Sequence, residues 1–324
     1  MASKELTYVQ AVREALWEEM KRDERVIIMG EDVKINVWAA TRDLYKDYGD
    51  RVINCPLSES GFSGAAIGAA MTGMRPVVEI MYPDFTMYAA DSIANQAAKY
   101  RYMCGGGEFK VPVVFRIAGS GNSGPSGCHH GQSLEATFIH FPGLKVIFAS
   151  TPHDAKGLLK AAIREDNPIL FYEHKLLYGV KGEVPEGDYV LPIGKADVKR
   201  EGSDVTIVSY GWTLHKALRA AEQLATEGIE AEVIDLRTLR PLDKECILKS
   251  VAKTSKLVTA EEGTKMGGMG AEIAAMVAEE GLDYLDAPIK RVASAEWIIA
   301  SSNYAGQMGI PQEADIIRAV KELV

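Results

Sequence analysis

The chain has 324 residues, of which 47% are hydrophobic and 25% are charged, so it is long enough for two ordinary domains with full apolar cores. Its formal net charge of −9 argues against a nucleic-acid partner or an anionic membrane surface. No apolar run reaches the ~20 residues of a membrane-spanning helix, and the first residues lack the apolar core of a signal peptide, so we expect a cytoplasmic protein with no membrane association.

Helix-like and strand-like patterns alternate through the first part of the chain. Helical periodicity predicts helices over residues 7–23, 61–74, 84–103, 133–140 and 152–164. Short apolar runs predict six strands, over residues 26–32, 52–57, 76–82, 111–117, 144–149 and 169–173. Alternation of this kind, with fully apolar strands, is typical of a parallel sheet covered by helices on both faces. We assign it to a first domain, residues 1–181.

A segment rich in turn formers and charge follows at residues 182–202, and we interpret it as a surface linker. The alternation then restarts, with strands predicted over residues 205–210, 231–236, 256–260 and 289–293 and helices over residues 213–226, 243–252, 270–280 and 312–323. This predicts a second, smaller domain, residues 203–324. The fold class is therefore α/β, with two doubly wound, mostly parallel sheets.

Glu59 lies at the junction between a predicted strand and a helix built largely from glycine and alanine. The carboxyl ends of parallel strands are where ligands bind in such sheets. Small residues recur along one stripe of the helix, from Gly61 to Gly73, which fits either tight interior packing or the close approach of another backbone. Tight packing does not explain the glutamate, because an ionised Glu is rarely buried without a partner.

The segment 119–133 is rich in glycine and ends near two adjacent histidines, His129 and His130. It contains no basic residue, so it is a weak candidate for a phosphate cradle and fits better as a mobile active-site loop or a structural turn. Adjacent histidines do not easily converge on one metal. A histidine here fits an acid/base or hydrogen-bonding group, although a structural pair would have the same sequence.

Several motifs carry a resemblance to a known family. They include Ile28-Met-Gly-Glu-Asp-Val, Pro56-Leu-Ser-Glu-Ser-Gly-Phe, His130-Gly-Gln-Ser-Leu-Glu-Ala and Ala231-Glu-Val-Ile-Asp-Leu-Arg. In this order they resemble the beta subunit of the two-chain thiamine-diphosphate-dependent 2-oxo acid dehydrogenases, which include pyruvate, branched-chain and acetoin dehydrogenases. The resemblance implies a transketolase-type pyrimidine-binding domain followed by a transketolase C-terminal-type domain. It also implies an oxidoreductase that cleaves a 2-oxo acid or acetoin and passes the acyl unit to lipoamide on a partner.

The resemblance gives the candidate site residues their roles. Glu59 would hydrogen-bond N1′ of the thiamine aminopyrimidine and favour its imino tautomer, so that the cofactor becomes reactive. Phe85 would pack against the pyrimidine ring, although a core aromatic would look the same, and Leu57 would line this pocket. Tyr88 stands where many relatives carry glutamine. His130 would hydrogen-bond or protonate reacting groups.

The resemblance also predicts partners and metals. Thiamine diphosphate needs Mg²⁺ at its phosphates, and the Gly-Asp-Gly motif that holds this ion in the family is missing from the chain, so an alpha subunit in an α2β2 heterotetramer would supply it. A structural K⁺ would bind carbonyl groups of a short set of residues, unless these form only a solvated acidic turn: Val113, Ala162, Ile163, Glu165 and Asn167. Residues 296–306 depart from the family's pattern near the end that docks on a lipoyl-bearing acyltransferase core.

Two other functions remain open from the sequence. The chain could be the C-terminal half of a split transketolase-like enzyme that transfers ketol units, which would need cationic or histidine contacts to sugar phosphates. It could also be a non-catalytic scaffold subunit on the same fold, which would tolerate the loss of Glu59.

Overall fold

A computed structural model describes residues 2–123 and 127–324 of the chain. It contains two compact units: the first is Met1–Ser120 with Thr137–Ile193, and the second is Gly121–Ala136 with Gly194–Val324. Residues 124–126, which belong to the predicted glycine-rich loop, lie outside the described residues.

The first unit is built on a parallel sheet. Its strands are β1 (Ser3–Thr7), β2 (Val26–Gly30), β3 (Val52–Asn54), β4 (Arg75–Ile80), β5 (Val114–Ser120), β6 (Lys145–Phe148), β7 (Ile169–His174) and β8 (Lys181–Pro185). Strands β2 to β7 pair in parallel in the order β6-β7-β5-β4-β2-β3, and β1 pairs with β8 in a separate antiparallel ladder. All residues of β2, β5 and β7 are buried, as expected for a sheet covered on both faces.

The helices of this part of the chain are α1 (Tyr8–Arg22), α2 (Leu44–Tyr48), α3 (Glu59–Met71), α4 (Ala98–Met103), α5 (Glu135–Ile139) and α6 (Pro152–Arg164). Short 3₁₀ turns lie at Gly49–Arg51, Pro83–Met87 and Lys175–Leu177. α1 begins with a capping box, in which Thr7 Oγ1 accepts from Gln10 N and Thr7 N donates to Gln10 Oε1. Such local start signals explain why the predicted bounds of α1 and α6 are close to the observed ones.

The single helix predicted over residues 84–103 is wrong. The chain forms a 3₁₀ turn at Pro83–Met87, a π-helix at Asp91–Ala97 and then α4. The Asp91 carboxylate accepts from Asn95 Nδ2 at 2.8 Å and from Gln96 Nε2 at 3.3 Å, so side-chain bonds of four- and five-residue spacing accompany the wider π turn. π-Turns inside helices occur frequently at functional sites.

The second unit has its own sheet. The strands of this part of the chain are β9 (Asp197–Arg200), β10 (Val205–Ser209), β11 (Ala231–Asp235), β12 (Thr238–Arg240), β13 (Leu257–Thr264) and β14 (Lys290–Ser294). Five of them form the sheet, in the order β14-β13-β10-β11-β9 and in parallel except for β9, whereas β12 is not part of it. The helices are α7 (Gly211–Ala225), α8 (Lys244–Thr254), α9 (Met269–Glu280), α10 (Asn303–Met308) and α11 (Glu313–Lys321), with a 3₁₀ turn at Leu282–Tyr284.

The prediction of two mostly parallel α/β sheets is confirmed. The segment interpreted as a linker contains most of β8 and all of β9, so much of it is paired rather than loose. The exact domain bounds at residues 181 and 203 stay a prediction. Among the described residues, no helix is both long enough and apolar enough to cross a membrane.

Candidate active site

Glu59 is the first residue of α3, five residues after the last residue of β3. Ser58 caps the helix, and its hydroxyl accepts a hydrogen bond from Gly61 N at 3.3 Å. The Glu59 side chain is buried, with 9% of the residue exposed.

The Glu59 carboxylate receives no hydrogen bond and no ion pair from residues 2–123 or 127–324. Its acidic neighbour Glu31 follows β2, the strand beside β3. Burial raises the pKa of Glu31, and the negative charges of Asp32 and Glu59 raise it further. A buried carboxylate that the chain leaves unpaired fits a ligand that donates a hydrogen bond to it.

The other predicted pocket residues of the first unit differ in exposure. Phe85 is half-buried in the 3₁₀ turn after β4, and its ring lies edge-on to Tyr82, with centroids 5.7 Å apart. Tyr88 lies next to it, with ring centroids 6.4 Å apart, but is 69% exposed. Leu57 is 74% exposed. Phe85 is therefore held by the chain itself, whereas Leu57 and Tyr88 present their side chains outward.

The small-residue stripe of α3 is not filled from within the chain. Gly61, Gly64 and Gly68 are exposed, and a Cβ on Gly68 would meet no described atom within 4 Å. A Cβ on Gly64 would meet only Ser92 Oγ, at an ordinary 3.8 Å. At Gly64 and Gly68, the close approach that a small residue permits is therefore not made by any of the described residues.

His130 is half-buried and belongs to the second unit, whereas Glu59, Phe85, Tyr88 and Leu57 belong to the first. Its backbone N–H donates to Gly127 O at 3.5 Å. A Cβ on the neighbouring Gly131 would meet Gly127 O at 3.4 Å, which is an ordinary contact. The backbone therefore does not require a glycine at position 131.

The segment predicted to hold K⁺ is lined with carbonyl groups that already accept hydrogen bonds. Arg75 Nη1 donates to Ile163 O at 2.9 Å and to Glu165 O at 3.0 Å. Ala162 O accepts from Glu165 N, and Val113 O accepts from Ile169 N. A carbonyl oxygen has two lone pairs, so these groups keep an accepting position each. The K⁺ site stays a prediction, with a guanidinium beside it.

A buried ion cluster on β4, β5 and β7 was missed by the sequence analysis. Arg116 donates to Glu173 from Nε at 2.5 Å and from Nη2 at 2.7 Å, and it also pairs with Glu79. Tyr178 Oη donates to Glu173 Oε2 at 2.8 Å. These charged side chains are almost fully buried, and the Arg116 guanidinium is the counter-ion of both carboxylates. Only the pairing of the strands brings the three charges together.

Two domain families and one solved structure show which fold class the chain belongs to. Residues 4–181 match the transketolase pyrimidine-binding domain, and residues 194–316 match the transketolase C-terminal domain. A solved structure described as a split-gene transketolase, inactive beta4 tetramer, aligns with a TM-score of 0.81 at 25% identity and covers 98% of both chains. The chain thus has the two-domain fold of the transketolase class.

Within that class, the chain is most informatively compared with three beta subunits of dehydrogenases or oxidoreductases. The chain is 50% identical to the 2-oxoisovalerate dehydrogenase subunit beta of Bacillus subtilis, over 94% of this chain and 93% of that one. It is 44% identical to the acetoin:2,6-dichlorophenolindophenol oxidoreductase subunit beta of Cupriavidus necator, over 99% and 98%. It is 46% identical to a mitochondrial pyruvate dehydrogenase E1 component subunit beta of Oryza sativa, over 99% and 86%. The chain belongs to this family of dehydrogenase beta subunits, as the sequence motifs predicted.

Proposed function

We propose that the chain is the beta subunit of a thiamine-diphosphate-dependent dehydrogenase that cleaves a 2-oxo acid or acetoin and passes the acyl unit to lipoamide on a partner. The observation that carries the proposal is the buried, unpaired carboxylate of Glu59 at the start of α3. The relatives named for 2-oxoisovalerate, acetoin and pyruvate, at 44–50% identity, support the substrate class.

Glu59 suits the aminopyrimidine half of the cofactor. Its carboxylate can accept a hydrogen bond from a ring nitrogen and exchange a proton there, which an amide could not do. When bound, thiamine diphosphate supplies the nucleophile that attacks the carbonyl carbon of the substrate. Phe85 offers a flat apolar face for a ring, Leu57 and Tyr88 line the same pocket, and His130 hydrogen-bonds or protonates reacting groups.

An alpha-type partner completes the enzyme in this proposal, in an α2β2 heterotetramer, and holds Mg²⁺ with the diphosphate. The exposed small-residue face of α3 supports it, because a second backbone could lie close against Gly61, Gly64 and Gly68. Large apolar side chains are also exposed on the segments that follow β2, β3 and β4: Ile35, Val37, Leu57, Met87 and Tyr88. Apolar surface of this kind marks interaction sites.

Three finer assignments belong to the same proposal. K⁺ would bind the carbonyl groups of Val113, Ala162, Ile163, Glu165 and Asn167, beside Arg75. A lipoyl-bearing acyltransferase core would be the further partner. The compartment would be the cytoplasm, although some of the relatives are named as mitochondrial.

The experiment is a comparison of two glutamate-to-glutamine variants in the enzyme co-expressed with its alpha partner. Glu59→Gln should assemble and unfold like the wild type, but 2-oxo acid decarboxylation should fall about 100- to 10,000-fold, because the amide cannot exchange the proton. Glu272→Gln is the matched control, since Glu272 lies in the first turn of α9 but is exposed. It should keep full activity.

The assay also separates the alternative functions. The likeness to a split-gene transketolase makes ketol transfer the second candidate. Sugar phosphates are therefore assayed as substrates under the same conditions, with and without thiamine diphosphate. Ketol transfer without 2-oxo acid cleavage would favour that candidate. Near-normal 2-oxo acid turnover by Glu59→Gln would remove Glu59 from the mechanism, and no turnover by any sample would favour a scaffold.

A further inference from the structure

The loop that carries His130 belongs to the second unit, although the chain on either side of it belongs to the first. Near the start of the loop, Asn122 N donates to Glu262 Oε1 at 2.6 Å and Asn122 Nδ2 donates to Gly306 O at 2.9 Å. Asn122 is buried, so water does not compete for these bonds. The first end of the loop is therefore fastened to the second unit.

The other end of the loop is fastened by three buried polar side chains. Tyr210 Oη, at the end of β10, lies 2.8 Å from Glu135 Oε1 and 3.1 Å from Glu261 Oε2. Glu135, Tyr210 and Glu261 are each less than 5% exposed. We call these three side chains the acid cluster. His130 lies five residues before Glu135, so the cluster fixes a point at most ~18 Å along the chain from it.

A neutral acid fits the acid cluster better than two carboxylates do. A tyrosine hydroxyl has one proton, and an ionised carboxylate can only accept hydrogen bonds. If both glutamates were ionised, they would have to share the single Tyr210 proton in a three-centre bond, with their negative charges held close together. If one glutamate is neutral, it can donate to the Tyr210 oxygen while Tyr210 donates to the other.

The proton belongs on Glu135 rather than on Glu261. Glu261 Oε2 and Oε1 accept from Met269 N at 2.8 Å and Gly270 N at 2.7 Å, at the start of α9, and these amides favour a negative charge. Glu135 Oε2 is buried and has no hydrogen-bond partner in the described part of the chain. An ionised Glu135 would leave that oxygen unsatisfied in a nonpolar environment.

We propose that Glu135, as a neutral acid bonded to Tyr210, is a positioning residue that holds the second end of the His130 loop and releases it on ionisation. The proposal rests on the proposed function only for what His130 does in turnover. The fastening of the loop is a property of this chain and can be measured without any substrate.

The groups around Glu135 set the direction of the pH dependence. Burial raises the pKa of Glu135 to about 7, against the hydrogen bonds from its own backbone N–H and from Tyr210, and the negative charges of Glu261 and Glu262 add to the rise. Burial also raises the pKa of Glu261, against the amide bonds and the nearby cation of Arg291. Because Glu135 binds its proton more tightly in the folded chain, the fastening is complete at low pH and is lost as the pH rises through about 7.

The test is amide hydrogen exchange of the peptide spanning residues 127–136 in the assembled enzyme, corrected for chemical exchange rates. In the wild type, protection should fall about tenfold between pH 6 and pH 8. In Glu135→Gln it should stay high at both pH values, because the amide donates to Tyr210 without titrating. In Tyr210→Phe it should be low at both. Glu272→Gln, the exposed control, should behave like the wild type.

Two further readouts keep the test decisive. A protonated-acid C=O stretch in infrared difference spectra should be present in the wild type at pH 6 and absent in Glu135→Gln, even if Tyr210→Phe does not fold. The pH profile of kcat should lose its limb near pH 7 in Glu135→Gln while KM is unchanged. Wild-type protection that does not change with pH, or a Glu135→Gln loop that titrates like the wild type, would overturn the proposal. Exchange data need no turnover, so failure of the proposed function would leave them interpretable.

Discussion

One buried glutamate lies at the start of α3 and another lies beside the start of α9, and only the second accepts hydrogen bonds from the described residues. Glu261 accepts two backbone hydrogen bonds at the start of α9 and contacts Tyr210. Glu59, at the start of α3, has no hydrogen-bond partner among the described residues. The same residue type beside the same kind of helix end is thus paired by the chain in one unit and has no hydrogen-bond partner among the described residues in the other.

The glycines of the two helices differ in the same way. A Cβ on Gly270 of α9 would lie 2.5 Å from Thr259 Oγ1 and 2.8 Å from Glu261 Oε1, so the fold itself requires the glycine. A Cβ on Gly68 of α3 would meet nothing within 4 Å. Where the fold itself does not explain a buried acid or a glycine, we infer that a ligand or a partner chain contacts it.

The largest effect is expected where buried acids depend on a cation. Arg116→Met would leave Glu79 and Glu173 buried without their counter-ion, and the free energy of unfolding should fall by about 3–5 kcal/mol. Urea unfolding of the purified chain measures this. Replacing both glutamates by glutamine in the same variant should recover much of the loss, and a single Arg116→Met variant as stable as the wild type would show that the acids need no partner.

A smaller loss is expected from the satisfied acid at α9. In Glu261→Gln the side chain keeps one accepting oxygen and places an N–H₂ group against backbone donors, so the free energy of unfolding should fall by about 2 kcal/mol. Glu59→Gln should cost no stability, because no hydrogen bond is lost. Equal losses in the two variants, measured by urea unfolding, would remove the difference between the two helix starts.

The smallest stability effects should separate the two glycines in sign. Gly270→Ala forces Thr259 and Glu261 to move and should cost about 1–3 kcal/mol. Gly68→Ala should raise the stability of the isolated chain by up to about 1 kcal/mol, because alanine favours the helix. Thermal unfolding of both variants measures this difference, and a destabilised Gly68→Ala chain would contradict it.

The partner proposal predicts a further contrast at the same position. Gly68→Leu should leave the isolated chain folded but prevent co-purification with the alpha partner, because the larger side chain blocks close approach. Gly179→Leu is the control, since Gly179 is also exposed and a Cβ there meets nothing within 4 Å. Normal assembly of Gly68→Leu would place the interface elsewhere.

The sequence predicted what local patterns encode. The apolar runs of β2 and β5 and the capped starts of α1 and α6 identified these elements to within a few residues. The edge strands β1, β8 and β9 were missed, because they are half-exposed and of mixed polarity, so they show no apolar run. Their pairing depends on contacts that are distant in the sequence.

The functional residues also differ in whether local sequence marks them or only long-range contacts bring them together. Glu59 could be singled out from the sequence, because its position between a strand and a glycine-rich helix is local, and its role stays a prediction. The bond between Glu135 and Tyr210 could not, because 75 residues separate them and nothing near either marks the other. The Arg116 cluster was missed for the same reason, since its acids lie on other strands.

The most direct test of the account is an experimental structure of the chain assembled with its alpha partner, thiamine diphosphate and Mg²⁺. We expect a Glu59 carboxylate oxygen within about 2.6–3.2 Å of the pyrimidine N1′, and the diphosphate bound by the alpha partner. A pyrimidine ring far from Glu59, or a diphosphate held together with its metal by this chain alone, would contradict the account.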